Sequence, residues 1–472
     1  MKNKSILFII CVLTCVASML PCNMKVQAKK NLSLSADSAI VMDVQSGAIL
    51  YEKNMDKKQY PASITKVMTA LLAIENSSMS EVVTYSESAV LNLESGASNI
   101  GLQVGEQLSM EDSLYAVLLS SANEACNGVG EHIAGSIDNY VDMMNKRAKE
   151  LGCTGTHFAN TNGLWMKNHY TTAHDMGLIA REAYKNPDFA KITGTKYHII
   201  KKTNKTKEKR YLSNHHGMLV AGNYPQYLYE YCVGGKTGYT SKCRYTLVTY
   251  AKKDGMTLVS VVMRADAPWQ TKNEYSDTTK LLNYCFENYS RHAIKNDAAS
   301  VVNSQYLFTK FSPYYTSASS ALSIDEDAAV LLPKGVNLNK TEKAVNFFDT
   351  AKVDEQGRKI IGKIVYTYND KEVGGSDIYY ENKGTPTLKD SINMSEWFDD
   401  AVEEASKEPF PWKKVAIIII LVIVVGVTGF YIYQGMQTER ARHARRNRYK
   451  KSRRNMRKMR KRDRGIYYRR RR

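Results

Sequence analysis

The chain predicts an α+β protein. Helical periodicity dominates residues 63–184, a strand-and-turn meander occupies 229–263, and strands continue from 297 to 381 with no helical period. Its 472 residues suffice for one large domain, a smaller companion and non-globular ends.

The elements follow in order. Lys2 and Lys4, an apolar run from Ile6 to Leu20 and the small-residue pattern Val26-Gln27-Ala28 mark 1–28 as a signal peptide. Residues 38–44 and 48–52 are β-rich around Gln45-Ser46-Gly47 and predict a hairpin. A helix over 63–74 comes next, with Val67, Leu71 and Ile74 at helical spacing and Pro61 just upstream. Further helices are expected at 110–119, 123–134, 137–151 and 172–184. Residues 229–236, 244–251 and 257–263 then read as successive antiparallel strands, separated by turns at Gly238-Tyr239-Thr240-Ser241 and Lys253-Asp254-Gly255. A helix over 271–288 closes a first domain of residues 31–292.

Short strands such as 330–332 and 361–368, with turns at Asp354-Glu355-Gln356-Gly357 and Asn369-Asp370, predict a small all-β domain over 297–385. Residues 386–412, acidic and closed by Pro409 and Pro411, form a juxtamembrane stalk. The uncharged apolar run 415–433 spans roughly 28 Å as a helix, close to a bilayer core. It reads as one transmembrane helix, flanked by Trp412, Tyr431 and Tyr433 at the interfaces.

The formal charge of +19 is unevenly placed. Residues 436–472 hold 19 Lys or Arg against Glu439 and Asp463, a net +17 that leaves the remainder near neutral. The body therefore gives no sign of a nucleic-acid-binding surface. By the positive-inside rule the basic tail, 434–472, is cytoplasmic and the body extracytoplasmic, which agrees with the signal peptide. The tail is expected to lie on anionic lipid, and no nucleic-acid partner is expected. Five cysteines remain after signal cleavage, Cys126, Cys153, Cys232, Cys243 and Cys285, without C-x-x-C spacing. They favour buried thiols over a scaffold of disulfides or a zinc site, a bridge between Cys232 and Cys243 being the single conceivable pairing. His169 and His174 form no i, i+4 metal pair, so structural roles are expected and no metal.

Three short motifs stand in order: Ser63-Ile64-Thr65-Lys66, Ser121-Ala122-Asn123 and Lys236-Thr237-Gly238. Singly each is weak, and Ser391-Ile392-Asn393 repeats the second by chance. Together they place chemistry where it is needed. Ser63 and Lys66, three apart at a helix start, face one way, so an amine can serve a hydroxyl nucleophile. The helix N-terminus brings backbone N–H groups to the carbonyl under attack. Lys236 and Thr237, ending a predicted strand, can hold a carboxylate, while Gly238 allows a close backbone approach.

This motif set resembles that of the low-molecular-mass penicillin-binding proteins, the serine D-Ala-D-Ala carboxypeptidase family, over roughly residues 32–288 and on into the β domain. The stretches Pro61 to Lys66, Phe158 to Leu164 with Asn162-Gly163, Thr172 to Met176 and Gly235 to Thr240 are all similar to that family. The resemblance implies a penicilloyl-serine transferase/β-lactamase-like catalytic domain, with a five-stranded antiparallel sheet, a helical cluster and the active site between them. Carried over by motif, Ser63 is the nucleophile, Lys66 its general base, Ser121 a proton relay and Asn123 a ligand of the substrate amide. Lys236 and Thr237 bind the terminal carboxylate, and the backbone N–H groups of Ser63 and Tyr239 form the oxyanion hole.

Ala122 stands where β-lactamases carry Asp, and Tyr239 where this family often carries His. Arg264 is a further candidate for the carboxylate. Glu182, four residues before Asn186, matches the spacing of a β-lactamase deacylating base, but it ends an amphipathic helix. The reading is thus a membrane-anchored carboxypeptidase removing the terminal D-Ala of peptidoglycan stem pentapeptides, captured covalently by β-lactams and needing no cofactor. The rivals are a β-lactamase or D,D-endopeptidase on the same scaffold, and a non-catalytic wall-binding protein with a nucleic-acid- or lipid-binding tail.

Overall fold

The computed structural model describes residues 32–295 and 322–380, apart from 95, 223, 267–270 and 355–356. The expected signal peptide, stalk, transmembrane helix and basic tail lie outside the described residues. Among the described residues no helix is long and apolar enough to cross a membrane. All of them belong to one of the chain's two compact units, residues 1–309 with 319–385.

Strands β1 (Ala36–Asp43) and β2 (Ile49–Lys53) form the expected hairpin. A 3-10 turn, Ala62–Thr65, leads into α1 (Lys66–Asn76). Then come β3 (Val82–Thr84), α2 (Glu87–Leu91), β4 (Gln107–Ser109), α3 (Met110–Leu118), α4 (Asn123–Ala134) and α5 (Ile137–Glu150). Helices α6 (Ala173–Lys185) and α7 (Pro187–Gly194) precede the hairpin of β5 (Tyr197–Ile200) and β6 (Arg210–Ser213). The meander β7 (Cys232–Thr240), β8 (Arg244–Lys253) and β9 (Met256–Ala265) is followed by α8 (Asn273–Asn288).

Side chains alternate across a strand, and here both faces are covered. The sheet runs β2-β1-β9-β8-β7, every pair antiparallel. Ile40, Met42, Val259, Val261 and Met263 pack on one face with α1, α3, α4 and α6. Ala39, Val41, Leu258 and Val262 pack on the other with Leu281, Leu282, Cys285 and Phe286 of α8. This is the five-stranded sheet with a helical cluster that the family resemblance implies. Helix α1 lies deepest: Lys66 to Ala73 is buried at every position, so it is a central helix and not the one-sided amphipath its spacing suggested.

Two local expectations need correcting. The strand expected at 229–236 starts later and runs on to Thr240, so Lys236-Thr237-Gly238 lies inside β7 and Gly238 to Thr240 is strand, not turn. The reason is β8, whose residues Val248 to Arg244 pair with Lys236 to Thr240 and extend the ladder past Gly238, which looks like a break in the sequence. The nucleophile turn is likewise 3-10 at Ser63, with regular helix starting only at Lys66.

Beyond α8 the chain enters a second antiparallel sheet without a gap. Strands β10 (Tyr289–Ala293), β12 (Ala329–Pro333), β15 (Lys371–Tyr380), β14 (Lys359–Tyr368) and β13 (Glu342–Val353) lie in that order, and β11 (Leu322–Ile324) pairs with β15. Val330, Leu332, Ile364, Tyr366 and Ile378 form its own core. Asn369 and Asp370, with φ of 51° and 59°, make the left-handed two-residue turn that suits a tight hairpin. The sheet thus begins at Tyr289, earlier than the sequence pattern indicated, because β10 carries no strand alternation of its own and is fixed by pairing with β12. All five described cysteines are buried and free, Cys232 and Cys243 included.

Candidate active site

Where α1 meets the sheet, the site is built around a backbone held out of its usual range. Ala62 has φ +53°, a left-handed conformation that costs a residue with a Cβ roughly 1–2 kcal/mol. It directs the next residue, Ser63, toward Lys66. Three groups hold Ala62 in place. Thr65 Oγ1 donates to the Ala62 carbonyl (2.9 Å), Thr246 Oγ1 of β8 donates to Pro61 O (2.7 Å), and Gly163, at φ +87°, packs against the Ala62 carbonyl so closely that a Cβ there would collide with it.

Lys66 is fully buried and its Nζ has three partners: Ser63 Oγ at 3.1 Å, Asn123 Oδ1 at 2.7 Å and the Asn162 carbonyl at 2.6 Å. Burial holds its ammonium below the ordinary lysine range, against the opposing pull of Cys126 and Glu124. A neutral amine has two N–H bonds and one lone pair. The two carbonyl oxygens can only accept, so they take the N–H bonds and leave the lone pair for the Ser63 hydroxyl.

Lys236, also buried, donates to the Thr237 carbonyl (2.8 Å). It too is held well below its usual range, by burial first and then by the Lys66 charge. Burial is the leading cause at both lysines, and two ammonium groups in one cleft repel each other. Gly238 brings β7 against the nucleophile turn: a Cβ there would meet the Ser63 backbone nitrogen at 2.9 Å. Thr237 is half-buried, and the Tyr239 ring is 52% exposed and packs on Tyr245 at 4.5 Å between centroids. Ser121, at φ +57° and buried, sits just before α4. Among the described residues no direct hydrogen bond joins its hydroxyl to Ser63 or Lys66.

Direct hydrogen bonds thus join Ser63, Lys66 and Asn123, and β7 brings Gly238 onto the Ser63 backbone. Arg264 is exposed at the end of β9, with φ +52°. Glu182 is engaged by Arg147 (3.2 Å) and Lys185 (2.9 Å) on the surface of α6. Two residues are added by the structure. Asn162 contributes its backbone carbonyl, which no side-chain pattern announces, although Asn162-Gly163 is a turn signal within one of the resembling stretches.

The second is His169, expected to be structural and found beneath the nucleophile turn. The Ala159 N–H donates to its Nδ1 (2.9 Å), which puts the proton of the neutral ring on Nε2, facing Thr65 Oγ1 at 2.8 Å. Burial, then His157 and Lys66, push the imidazole down to about 3, so it is neutral. The chain of bonds ends on the Ala62 carbonyl.

A buried lysine bonded to a serine, where a helix meets an antiparallel sheet, is the arrangement of a serine hydrolase with the penicillin-binding-protein type of fold. The family model for D-alanyl-D-alanine carboxypeptidases matches residues 24–267, and the chain belongs to that family. It is 32% identical over 341 residues to D-alanyl-D-alanine carboxypeptidase DacF of Bacillus subtilis, covering 71% of this chain and 82% of that one. With DacA of Haemophilus influenzae it shares 29% over 363 residues, 74% of this chain and 85% of the relative. Among solved structures, penicillin binding protein 5 from Haemophilus influenzae superposes with a TM-score of 0.53 at 26% identity, over 74% of this chain and 97% of that chain.

Proposed function

We propose that the protein is an exported D-Ala-D-Ala carboxypeptidase that removes the terminal D-Ala of peptidoglycan stem pentapeptides through an acyl-enzyme on Ser63. One observation carries this: two acceptor-only carbonyls occupy the Lys66 amine and turn its lone pair to the Ser63 hydroxyl. Lys66 takes the Ser63 proton as Oγ attacks the penultimate carbonyl. The Ser63 and Tyr239 N–H groups receive the developing oxyanion. Lys236 and Thr237 bind the terminal carboxylate, and that negative charge stabilises the Lys236 ammonium which burial alone disfavours. Asn123 holds the substrate amide, and Ser121 returns the proton to the leaving D-Ala amine. Water then hydrolyses the ester, and β-lactams acylate the same serine.

The enzyme is held in the membrane by residues 415–433, with the catalytic domain outside, the small β domain following it, and the basic tail on the anionic inner leaflet. Capture of a fluorescent penicillin by the native chain and not by Ser63→Ala, together with D-Ala release from a diacyl-D-Ala-D-Ala peptide, is the decisive test. Rapid turnover of benzylpenicillin without peptide cleavage would make it a β-lactamase instead.

A further inference from the structure

The β5–β6 hairpin carries chemistry that acyl transfer does not use. Its connecting residues 201–209 hold Lys201, Lys202, Lys205, Lys207 and Lys209 against one acid, Glu208, and all five lysines are exposed. Ion pairs nearby use other cations, Lys191 with Glu111 and Arg210 with Glu106, and none among the described residues engages these five. Yet the loop is fixed near its middle. Asn204 accepts from the Gln107 N–H (2.9 Å) and donates to Gly105 O (2.8 Å), and Thr203 donates to Glu106 (2.7 Å). The charges are thus displayed on an ordered support, which lowers the entropy lost when they engage a partner.

The outer face of the same hairpin is apolar. Tyr197, Ile199 and Tyr211 are 66%, 48% and 74% exposed, and Ile199 pairs across the strands with Tyr211. Tyr211 also lines a cleft of about 520 Å³ with Ser98, Ile100, Ser120, Arg210 and His215. The cleft adjoins the active site. Ser120 precedes Ser121, and the Ser98 carbonyl accepts the Asn123 backbone N–H at 2.9 Å. His215, lowered first by burial, also feels the Lys236 charge. Because Arg210 is neutralised by buried Glu106, the positive field comes from the lysine loop and not from the cleft.

We propose that the β5–β6 hairpin is a docking surface for polymeric peptidoglycan: its lysines engage the carboxylates of stem peptides neighbouring the one being cleaved, and Tyr197, Ile199 and Tyr211 lie against the sugar backbone. The proposal rests on the function assigned above and specifies its substrate as the assembled wall rather than free peptide. Repeated carboxylates along one strand meet repeated lysines, so weak single contacts add through multivalency. Charge and continuity with the cleft favour this occupant.

The test compares the full chain with a variant carrying Lys201→Gln, Lys202→Gln, Lys205→Gln, Lys207→Gln and Lys209→Gln, and with Tyr211→Ala. All share the same C-terminal tail, so differences between them report the hairpin. D-Ala release from pentapeptide-bearing sacculi should fall about tenfold or more in the lysine variant, with five exposed ion pairs lost. Tyr211→Ala should fall several-fold on sacculi, while all three chains cleave soluble diacyl-D-Ala-D-Ala and capture penicillin alike. In co-sedimentation of the Ser63→Ala forms with sacculi, amidating the wall carboxylates should erase the difference between the native hairpin and the lysine variant, and stripping phosphate-containing polymers should leave it intact. Equal rates on sacculi would overturn the proposal. So would a difference that survives amidation but vanishes with the phosphate polymers, since the ligand would then be a phosphodiester chain. Failure of every chain on the soluble peptide would strike the function instead, and co-sedimentation of the Ser63→Ala forms with sacculi would still decide the docking.

Discussion

Replacing Gly163 by alanine should slow acylation of Ser63 by about 10²-fold while leaving the sheet and helices folded. At φ +87° the new side chain is strained by roughly 1–2 kcal/mol on backbone grounds alone. Its Cβ would also fall about 1 Å inside the 3.0 Å that real Cβ contacts respect, with the Ala62 carbonyl as the obstacle and Thr65 Oγ1 at 2.9 Å behind it. Neither neighbour is the free end of a flexible side chain. The Ala62 peptide must therefore move by about that ångström, carrying Ser63 Oγ away from Lys66 Nζ, and displacements of this size cost on the order of 10² in rate. The assay is the second-order rate of fluorescent penicillin capture, read beside the thermal midpoint. A midpoint lowered by several degrees with acylation within threefold of the native chain would show that the Ala62 turn does not set the nucleophile, and the reasoning would fail.

Since burial lowers the Lys66 pKa, acylation should rise with pH through a group titrating below 10.5, and Lys66→Arg, which cannot deprotonate, should abolish it; a flat profile would remove Lys66 as base. Ser121→Ala should slow peptide cleavage by roughly 10² to 10⁴ while penicillin recognition partly persists, and unchanged peptidase activity would exclude the relay. Acid should destabilise the fold through His216, which burial lowers to about 4 from 6.5. The folded pKa lies below the unfolded one, so the unfolded chain binds the extra proton. Stability is complete above pH 6.5 and declines toward pH 4, by about 1.4 kcal/mol per pH unit and roughly 3 kcal/mol in all. Denaturant midpoints at pH 7 and 4.5 should differ less for His216→Gln than for the native chain.

The central sheet was legible because β1, β8 and β9 are long apolar runs bounded by turn signals, and α1, α4 and α5 because apolar residues recur at helical spacing, with Pro61 just ahead of α1. The ordered serine, lysine and asparagine motifs likewise pointed to one place, where Ser63, Lys66 and Asn123 meet. What stayed hidden depends on long-range pairing. β10 is a strand only because β12 lies beside it, and the end of β7 could not be told from a turn when its glycines serve close packing against Ser63 and Val248. The short pairs β3–β4 and β5–β6 gave too few residues for a period. Asn162 and His169 act through a backbone carbonyl and a two-step hydrogen-bond chain, and neither leaves a spacing signature.

The left-handed Ala62 also marks a conflict for anyone seeking a hardier enzyme. Glycine adopts φ +53° without strain, so Ala62→Gly is a substitution that a search for heat resistance would be drawn to. It would also free the peptide that Thr65 and Gly163 now hold, widening the angles at which Ser63 can stand. A library screened on melting temperature alone would then favour robust proteins that acylate poorly, whereas one screened on penicillin capture should retain alanine and accept the strain.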